Sequence, residues 1–208
     1  MVIGVIQASS QAEKNRLLFE SAVQAAAGHE VLNFGCLPDE KERYSYIEIA
    51  VAAGLLLQSR AVDFIVTGCS SGQGMMLALN SLPGVLCGYA PAPMDAYLFA
   101  QINNGNAVSL PLGEEYTYSG SENLFNTLSL LFSEPFGQGY PRKDAARKRR
   151  DTLLLKSIRE KSQTDFFSLL EALDPPLIEK VLKKRGVADC VFARRENSEA
   201  ADWIRKHR

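Results

Sequence analysis

The chain has 208 residues, of which 46% are apolar, so it can bury a substantial core and exceeds the length that one small α/β domain needs. Its 23 basic residues nearly balance its 24 acidic residues, and a formal charge of -1 provides no overall field that would attract nucleic acid or an anionic membrane. No apolar run approaches the roughly 20 residues of a membrane span, and no basic leader precedes Val2. We therefore expect a globular cytoplasmic protein that binds neither nucleic acid nor a membrane.

Few residues in this chain are available for metal or histidine chemistry. The four cysteines stand far apart, at Cys36, Cys69, Cys87 and Cys190. Because they form no C-x-x-C pair, they indicate neither a zinc ribbon nor a disulfide framework. His29 and His207 are the two histidines, and this scarcity excludes most metal, Ser-His and Cys-His sites. We expect no metal and no redox cofactor.

Apolar, β-branched segments alternate with segments of helical length and pattern. The predicted strands are Val2–Gln7, Glu30–Phe34, Val62–Thr67, Gly84–Tyr89 and Asn106–Leu112. This order predicts an α/β protein with a Rossmann-like parallel sheet of about five strands and helices on both faces. Ligands of such sheets bind beyond the carboxyl ends of the strands. The site is therefore predicted in loops 8–11, 35–45, 68–74 and 89–95.

The composition changes after a predicted helix at Glu122–Phe132. The following segment, Pro135–Pro141, is rich in proline and glycine and indicates an ordered loop or hinge. From Arg142 onward, apolar residues repeat at helical spacing, which predicts helices whose apolar faces pack on another surface. We therefore predict an α/β domain over residues 1–141 and a helical C-terminal extension over residues 142–208.

The third predicted strand leads into the loop Cys69-Ser70-Ser71-Gly72-Gln73-Gly74, which opens a helix. Such a loop directs backbone N–H groups and the positive end of the helix at its ligand, which suits a phosphate or a developing oxyanion. The plainer interpretation is a tight strand-to-helix turn in which Cys69 is an inert buried thiol.

Three specific interpretations of this loop differ in the chemistry that they require. Nucleotide binding requires a phosphate-loop or G-x-G-x-x-G motif, and the chain has neither. A serine hydrolase fits the G-x-S-x-G pattern at Gly68–Gly72, with Ser70 as nucleophile, but the only later histidine, His207, is next to the last residue. In the third interpretation, Cys69 is a general base that removes a proton beside a carbonyl, while Ser71 and neighbouring N–H groups hold the enediolate oxygen.

The loop Cys69–Met75 is followed by an ordered set of further residues: Asn80, Pro83-Gly84-Val85, Cys87, Pro93, Ala96, Asn103, Asn106, Gly113 and Pro135-Phe136. On these residues, and over about residues 1–150, the chain resembles the ribose-5-phosphate isomerase type B and galactose-6-phosphate isomerase family of sugar-phosphate isomerases. The resemblance implies that Cys69 is the proton-abstracting base, and that Ser71 replaces the threonine that helps hold the enediolate oxygen. It also implies that Ser70, Gly72, Gly74 and Asn103 contribute to the substrate site.

Three departures from the family pattern concern the substrate. Ser10-Gln11 stands where the family has Asp-His, so these side chains can hydrogen-bond to a sugar but cannot ionise. Ile102, directly before Asn103, stands where the family has the histidine that assists ring opening. The family's phosphate-binding arginines correspond to a basic cluster consisting of Arg142, Lys143, Arg147, Lys148, Arg149 and Arg150.

The basic cluster has three interpretations of its own. A run of charges is usually a solvated helix face, and nucleic-acid binding is a second option that lacks an interleaved aromatic platform. In the third, Arg142 or Arg147 reaches a substrate phosphate, across a dimer interface if the family geometry holds. We favour the third and expect a homodimer or homotetramer, because a site near an interface and an apolar helical tail indicate association.

The absence of the ring-opening histidine bears on the substrate. A cyclic pentose or hexose phosphate must open before a proton moves, whereas a tetrose 4-phosphate cannot close a five-membered ring, because its 4-hydroxyl is esterified. We therefore predict an aldose–ketose isomerase that acts through a cis-enediolate on an open-chain tetrose or tetrulose phosphate, otherwise on ribose 5-phosphate or ribulose 5-phosphate. The alternative is a non-catalytic sugar-phosphate-binding or partner subunit, and the retention of Cys69 favours the enzyme.

Overall fold

The computed structural model describes every residue from Met1 to Arg208. The strands are β1 (Val2–Ile6), β2 (Glu30–Gly35), β3 (Phe64–Cys69), β4 (Cys87–Tyr89) and β5 (Ala107–Pro111). The helices are α1 (Asn15–Ala25), α2 (Tyr46–Gln58), α3 (Gln73–Asn80), α4 (Pro93–Leu98), α5 (Gly120–Leu131), α6 (Ala145–Ser162), α7 (Phe166–Ala172), α8 (Pro175–Leu182), α9 (Val187–Arg195) and α10 (Glu199–His207). A π-helical turn at Phe99–Asn103 continues α4. None of these helices is both long enough and apolar enough to cross a membrane.

All five strands are parallel in a single sheet with the order β2-β1-β3-β5-β4. The predicted parallel sheet is therefore confirmed. β3 is the central strand, and its last residue, Cys69, is in register with Pro111 at the end of β5. The carboxyl ends of β1, β2 and β3 consequently lie side by side, at the edge of the sheet where the loop after Cys69 begins.

Two of the observed strands begin two or more residues later than predicted. β3 begins at Phe64 rather than at Val62, because the N–H groups of Ala61 and Val62 donate to the carbonyl of Leu56, at 3.1 and 3.3 Å, and terminate α2. β4 is restricted to Cys87–Tyr89, because the preceding segment turns at Gly84, whose φ is +71°. β3 is thus shifted along the sequence without a change in length, whereas β4 is shortened, and the order of the elements is unchanged.

Two hydrophobic clusters cover the two faces of the sheet. Alternate residues of one strand belong to different clusters, as the two-residue period of a strand requires. On one face, the strands pack against α1, α4 and α5 through Ile3, Val5, Phe64, Val66, Leu18, Ala22, Ala96, Leu124 and Leu128. On the other face, they pack against α2 and α3 through Ile6, Ile65, Ala107, Ile49, Ala53, Leu56, Met75 and Leu79. The predicted helices on both faces are thus confirmed.

The C-terminal extension forms a further layer outside α2. Every residue of α2 from Ile49 to Leu57 is buried, and a helix that is apolar on all sides must be covered on all sides. The cover comes from α7–α10, whose apolar residues share one cluster with α2 and its face of the sheet. Phe166 of α7 approaches so closely that a Cβ on Gly54 would lie 3.0 Å from its ring. The helical extension is confirmed, whereas its separation from residues 1–141 as a domain stays a prediction.

Lys184, in the turn between α8 and α9, joins the extension to the loop after β2, residues 36–45. Its side chain is completely buried, and its Nζ lies 2.9 and 2.7 Å from the two carboxylate oxygens of Glu40. Glu40 Oε1 also accepts a hydrogen bond from the N–H of Leu37 at 2.9 Å. The Lys184 ammonium lies 5.2 Å from the centroid of the Tyr44 ring. The buried charge is therefore paired, hydrogen-bonded and in contact with an aromatic face.

Replacing Lys184 by Met should destabilise the fold by about 3–5 kcal/mol, because Glu40 would remain buried without its counter-charge. Chemical denaturation followed by circular dichroism measures this loss. Lys183→Met is the matched control, because Lys183 forms an exposed ion pair with Glu179 and its loss should leave the free energy of unfolding nearly unchanged. Equal effects of the two substitutions would contradict the role of the buried pair.

Candidate active site

Cys69 lies at the carboxyl end of the central strand, where a parallel sheet binds its ligands. Its side chain is buried but retains 7% of its exposure, whereas the neighbouring Cys36 is completely buried. The carbonyl of Cys69 accepts a hydrogen bond from the N–H of Leu112 at 3.1 Å. Pairing with β5 therefore continues to the last residue of β3, and the thiol is attached to rigid backbone.

The segment Cys69–Gly74, termed the Cys69 loop, turns sharply into α3 at Gly72. Gly72 has a φ of +75°, and a Cβ at this position would lie 2.8 Å from the backbone of Leu110. Only glycine fits such a position, because a side chain would be strained and would collide with β5. Ser109 Oγ donates to the carbonyl of Gly72 at 2.6 Å and holds the turn against the sheet. Apart from that of Gln73, the first N–H groups of α3 have no acceptor within the helix and are available to a bound oxyanion.

Ser71 precedes Gly72 in this turn, and Gly74 follows it. Ser71 Oγ accepts a hydrogen bond from the N–H of Gln73 at 3.3 Å, so the hydroxyl proton remains free to donate to a ligand. Gly74 lies against the ring of Tyr46, the first residue of α2, and a Cβ there would be 3.4 Å from the ring. Tyr46 is 41% exposed and forms one wall beside the loop.

Ser10 and Gln11 lie against the Cys69 loop, as the sequence predicted for the carboxyl ends of neighbouring strands. Gln11 Nε2 donates to Ser70 Oγ at 3.0 Å, and Ser70 Oγ lies 3.4 Å from Ser10 Oγ. The structure therefore brings together Ser10, Gln11 and Ser70 beside Cys69. All of these groups are neutral hydrogen-bonding groups, which suit the hydroxyls of a sugar.

Neither histidine lies near Ser70, so the serine-hydrolase interpretation lacks its base. His207 stacks on Trp203 in α10, with ring centroids 4.3 Å apart, and its Nε2 lies 3.2 Å from Glu171. His29 contacts the chain's amino group at Met1, at the opposite edge of the sheet. Ser70 is bonded to an amide and a hydroxyl, and neither of these can accept its proton as a general base.

Three other predicted site residues lie away from Cys69 in the same chain: Asn103, Arg142 and Arg147. Asn103 ends the π-helical turn before β5, whereas Cys69 lies beside the far end of that strand. The four residue steps from Ala107 to Pro111 alone correspond to about 13 Å at a rise of roughly 3.3 Å per residue. Arg142 is paired with Glu134 and donates to the carbonyl of Gly139 at 3.0 Å.

Arg147 and its neighbours lie on α6, at the same edge of the sheet as Asn103. Arg147 NH1 lies 3.3 Å from Asp151 on the exposed side of the helix. Arg149 and Lys156 instead line a cavity of about 150 Å³ with Ile102, Asn104 and Gly137. Burial lowers the pKa of Lys156. Arg149 of the basic cluster thus lies near Ile102, on the edge of the sheet opposite to the Cys69 loop.

Two contributors to the Cys69 side were not predicted as site residues from the sequence. Gly113, in the loop after β5, donates its N–H to the carbonyl of Ser70 at 2.9 Å, and a Cβ there would lie 3.1 Å from Ser70. Arg43, in the predicted loop 35–45, donates from NH2 to the carbonyl of Ser9 at 3.1 Å. The sequence signal for Arg43 was its position in a loop that follows a strand. The fourth predicted loop, 89–95, contacts Asn123 instead, through the carbonyl of Pro91.

The other cysteines are poorly suited to form a thiolate. Burial raises the pKa of Cys36, although a hydrogen bond from Ser9 and the charge of Lys184 oppose the shift. Burial also raises the pKa of Cys87 and of Cys190. The thiolate is the reactive form of cysteine, so these positions favour inert thiols. No group of three or more histidine, cysteine, aspartate or glutamate side chains is placed to hold a metal ion.

Comparisons with known proteins agree with this architecture. A family model described as ribose/galactose isomerase matches residues 3–143. A crystal structure of 4-deoxy-L-threo-5-hexosulose-uronate ketol-isomerase with tartrate is 35% identical, with a TM-score of 0.94, and the match covers 100% of this chain and 99% of that one. A ribose-5-phosphate isomerase from Vibrio parahaemolyticus is 34% identical, with a TM-score of 0.93 and coverage of 100% and 99%.

Shorter type B enzymes share the fold alone. The type B ribose 5-phosphate isomerase of Trypanosoma cruzi is 21% identical, with a TM-score of 0.64, and its match covers 78% of this chain and 100% of that one. No curated protein matches the chain. The family model covers more than half of the sequence, and two full-length structures are more than 30% identical to it. The chain therefore belongs to the ribose/galactose isomerase family and is an enzyme that isomerises sugars.

Proposed function

We propose that the protein is an aldose–ketose isomerase that acts on an open-chain anionic sugar, with Cys69 as the base. The supporting observation is the position of this thiol, at the end of the central strand and at the head of a loop that presents helix N–H groups. Ser10, Gln11 and Ser70 form a hydrogen-bonded group beside it. Proton abstraction next to a carbonyl requires a base near the carbon that loses the proton and an oxyanion site near the carbonyl oxygen.

The proposed reaction moves one proton between neighbouring carbons. The Cys69 thiolate removes the proton from the carbon beside the carbonyl, and the electron pair moves to the carbonyl oxygen, giving a cis-enediolate. Ser71 and the N–H groups of the Cys69 loop stabilise that oxygen. The second oxygen then becomes the carbonyl oxygen as its hydroxyl proton transfers to the first oxygen, and the Cys69 thiol donates a proton to the carbon that was originally the carbonyl carbon. The net reaction leaves the atoms and oxidation level of the sugar unchanged.

Replacing Cys69 by Ala should reduce kcat by roughly 10²–10⁴-fold, the usual contribution of a general base, without loss of the fold. NMR first measures turnover by the purified wild-type chain alone. A non-catalytic partner subunit, the alternative to an enzyme, would show no turnover. Cys190→Ala is the matched control, since this half-buried thiol lies on α9 and should be dispensable. Wild-type turnover by the Cys69→Ala variant would reject Cys69 as the base.

The open-chain substrate is supported by Ile102, which stands at the position of the ring-opening histidine and cannot transfer a proton. A tetrose 4-phosphate meets this condition, because its phosphate blocks the hydroxyl that would close the ring. The uronate in the name of the full-length ketol-isomerase meets it as well. That compound has no oxygen at carbon 4 and a ketone at carbon 5, so neither position offers a hydroxyl that could mask its aldehyde. Its terminal carboxylate takes the place of a phosphate, which makes it our second candidate.

Comparison of kcat/KM on three substrates tests the open-chain proposal. Tetrose 4-phosphate and the 5-hexosulose uronate should each be better substrates than ribose 5-phosphate, by at least about tenfold, or about 1.4 kcal/mol in transition-state free energy. The ratio between the first two identifies phosphate or carboxylate as the preferred anion. A clear preference for ribose 5-phosphate would contradict the proposal while leaving the isomerase activity intact.

We also propose that the enzyme is a homodimer or homotetramer whose sites form between subunits. Asn103 and the basic cluster lie at the edge of the sheet opposite to Cys69, so a single chain does not unite the predicted groups. An exposed apolar surface lies on α6, close to those residues in sequence. It consists of Leu153, Leu154, Leu155 and Ile158, which are 68%, 57%, 38% and 62% exposed. A patch of large aliphatic side chains on one helix is typical of an interface.

Replacing both Leu153 and Ile158 by Lys should dissociate the oligomer, because two charges would have to be desolvated at the interface. Sedimentation velocity measures the mass, and a turnover assay should show a parallel loss of activity. Val23→Lys is the control, since Val23 is 45% exposed on α1 and lies outside the patch. A wild-type protein that sediments as a monomer and turns over substrate would contradict the proposal.

A further inference from the structure

The loop of residues 36–45 is joined to the loop of residues 7–11 by a series of hydrogen bonds. Ser9 N–H donates to the carbonyl of Tyr44 at 2.9 Å, and Tyr44 N–H donates to Ser9 Oγ at 2.8 Å. Closer to the strands, Gln7 Nε2 donates to the carbonyl of Cys36 at 2.7 Å. The two loops therefore form one ordered surface, although they follow different strands.

Arg43 is the cation that this surface places next to the candidate active site. Its NH2 group donates to the carbonyl of Ser9 at 3.1 Å. The next residue in the sequence is Ser10, whose Oγ lies 3.4 Å from Ser70 Oγ. The guanidinium is thus one residue away from the group of hydroxyls beside Cys69. The Arg43 side chain is exposed, and one of its five N–H donors is used by the carbonyl.

Arg43 has no acidic partner, in contrast to several of the cations around it. The ion pairs of the chain do not include it. Lys14 is paired with Glu114, Lys180 with Glu48 and Lys184 with Glu40. Arg142 and Arg147, the arginines predicted from the sequence, are also paired with carboxylates. Among these charges, Arg43 alone can bind an anion without first giving up a carboxylate.

The buried ion pair described above fixes the loop that carries Arg43. Glu40 is bonded both to Lys184 and to the N–H of Leu37, and Lys184 also lies against the ring of Tyr44, the neighbour of Arg43. Arg43 is thus flanked by two fixed points, Glu40 on one side and the Ser9–Tyr44 hydrogen bonds on the other. An arginine held in this way loses little conformational freedom when it binds a ligand.

We propose that Arg43 binds the anionic end of the substrate, a carboxylate or a phosphate, within the same subunit as Cys69. This inference rests on the proposed isomerase function and names the group that selects an anionic sugar. The planar guanidinium can donate two parallel hydrogen bonds to either oxyanion. A sugar bound in this way would extend from the Cys69 loop, past the hydroxyls of Ser70 and Ser10, to the guanidinium.

Steady-state kinetics of Arg43→Gln, Arg43→Lys and Lys41→Gln test the inference. Arg43→Gln should raise KM for the anionic substrate at least tenfold and change kcat by less than threefold, because the removed contact is remote from the reacting carbons. Arg43→Lys should recover part of the loss, since it restores the charge without the fork of donors. Lys41→Gln removes an exposed charge two residues away and should leave KM unchanged.

A binding measurement separates this inference from the proposed function. Calorimetric titration of tartrate and of inorganic phosphate into the Cys69→Ala variant, with and without Arg43→Gln, requires no turnover. Loss of affinity for tartrate alone would identify a carboxylate site, and loss for phosphate alone a phosphate site. The inference is overturned if Arg43→Gln changes neither affinity nor KM, if neither anion binds, or if Lys41→Gln has the same effect. Absence of wild-type turnover would reject the isomerase proposal and leave the binding result to decide on Arg43.

Discussion

The pairing of β3 between β1 and β5 determines where the chemistry of this protein can take place. Because the strands are parallel, their carboxyl ends meet at one edge, and the central strand ends at Cys69 with its register intact. The turn at Gly72 then exists only because glycine tolerates both a positive φ and the close approach of Leu110. A thiol on rigid backbone and a helix that begins four residues later are therefore consequences of the sheet, and the surrounding loops supply the groups that we propose to contact a ligand.

The C-terminal helices contribute to this arrangement through burial. They cover the outer side of α2 and add Lys184, whose charge is neutralised by Glu40 in the loop after β2. A buried ion pair costs free energy of desolvation, so it stabilises little by itself but strongly disfavours any arrangement that separates its partners. The extension therefore holds a loop of the candidate active site in one position.

Much of the fold was predictable because it follows from local patterns. Alternating apolar strands and helices predicted the parallel sheet, and the loop at Cys69 predicted a candidate site that stays a prediction. The nearly uniform apolar character of α2 carried a further signal, since such a helix needs cover on its outer side. The pairing of Lys184 with Glu40 and the position of Arg43 depend on contacts between distant segments, which no local pattern encodes. The separation of Asn103 from Cys69 follows from the strand that lies between them, and residue spacing in a motif does not reveal it.

The central claim is that Cys69 transfers a proton between two carbons of a sugar. Solvent exchange measures this transfer directly: the substrate is incubated with the enzyme in D₂O, and the label is located by NMR. Wild-type enzyme is expected to introduce deuterium at the two carbons between which the proton moves, whereas Cys69→Ser introduces none while the substrate still binds. Exchange by Cys69→Ser at the wild-type rate would show that another group is the base and would contradict the account.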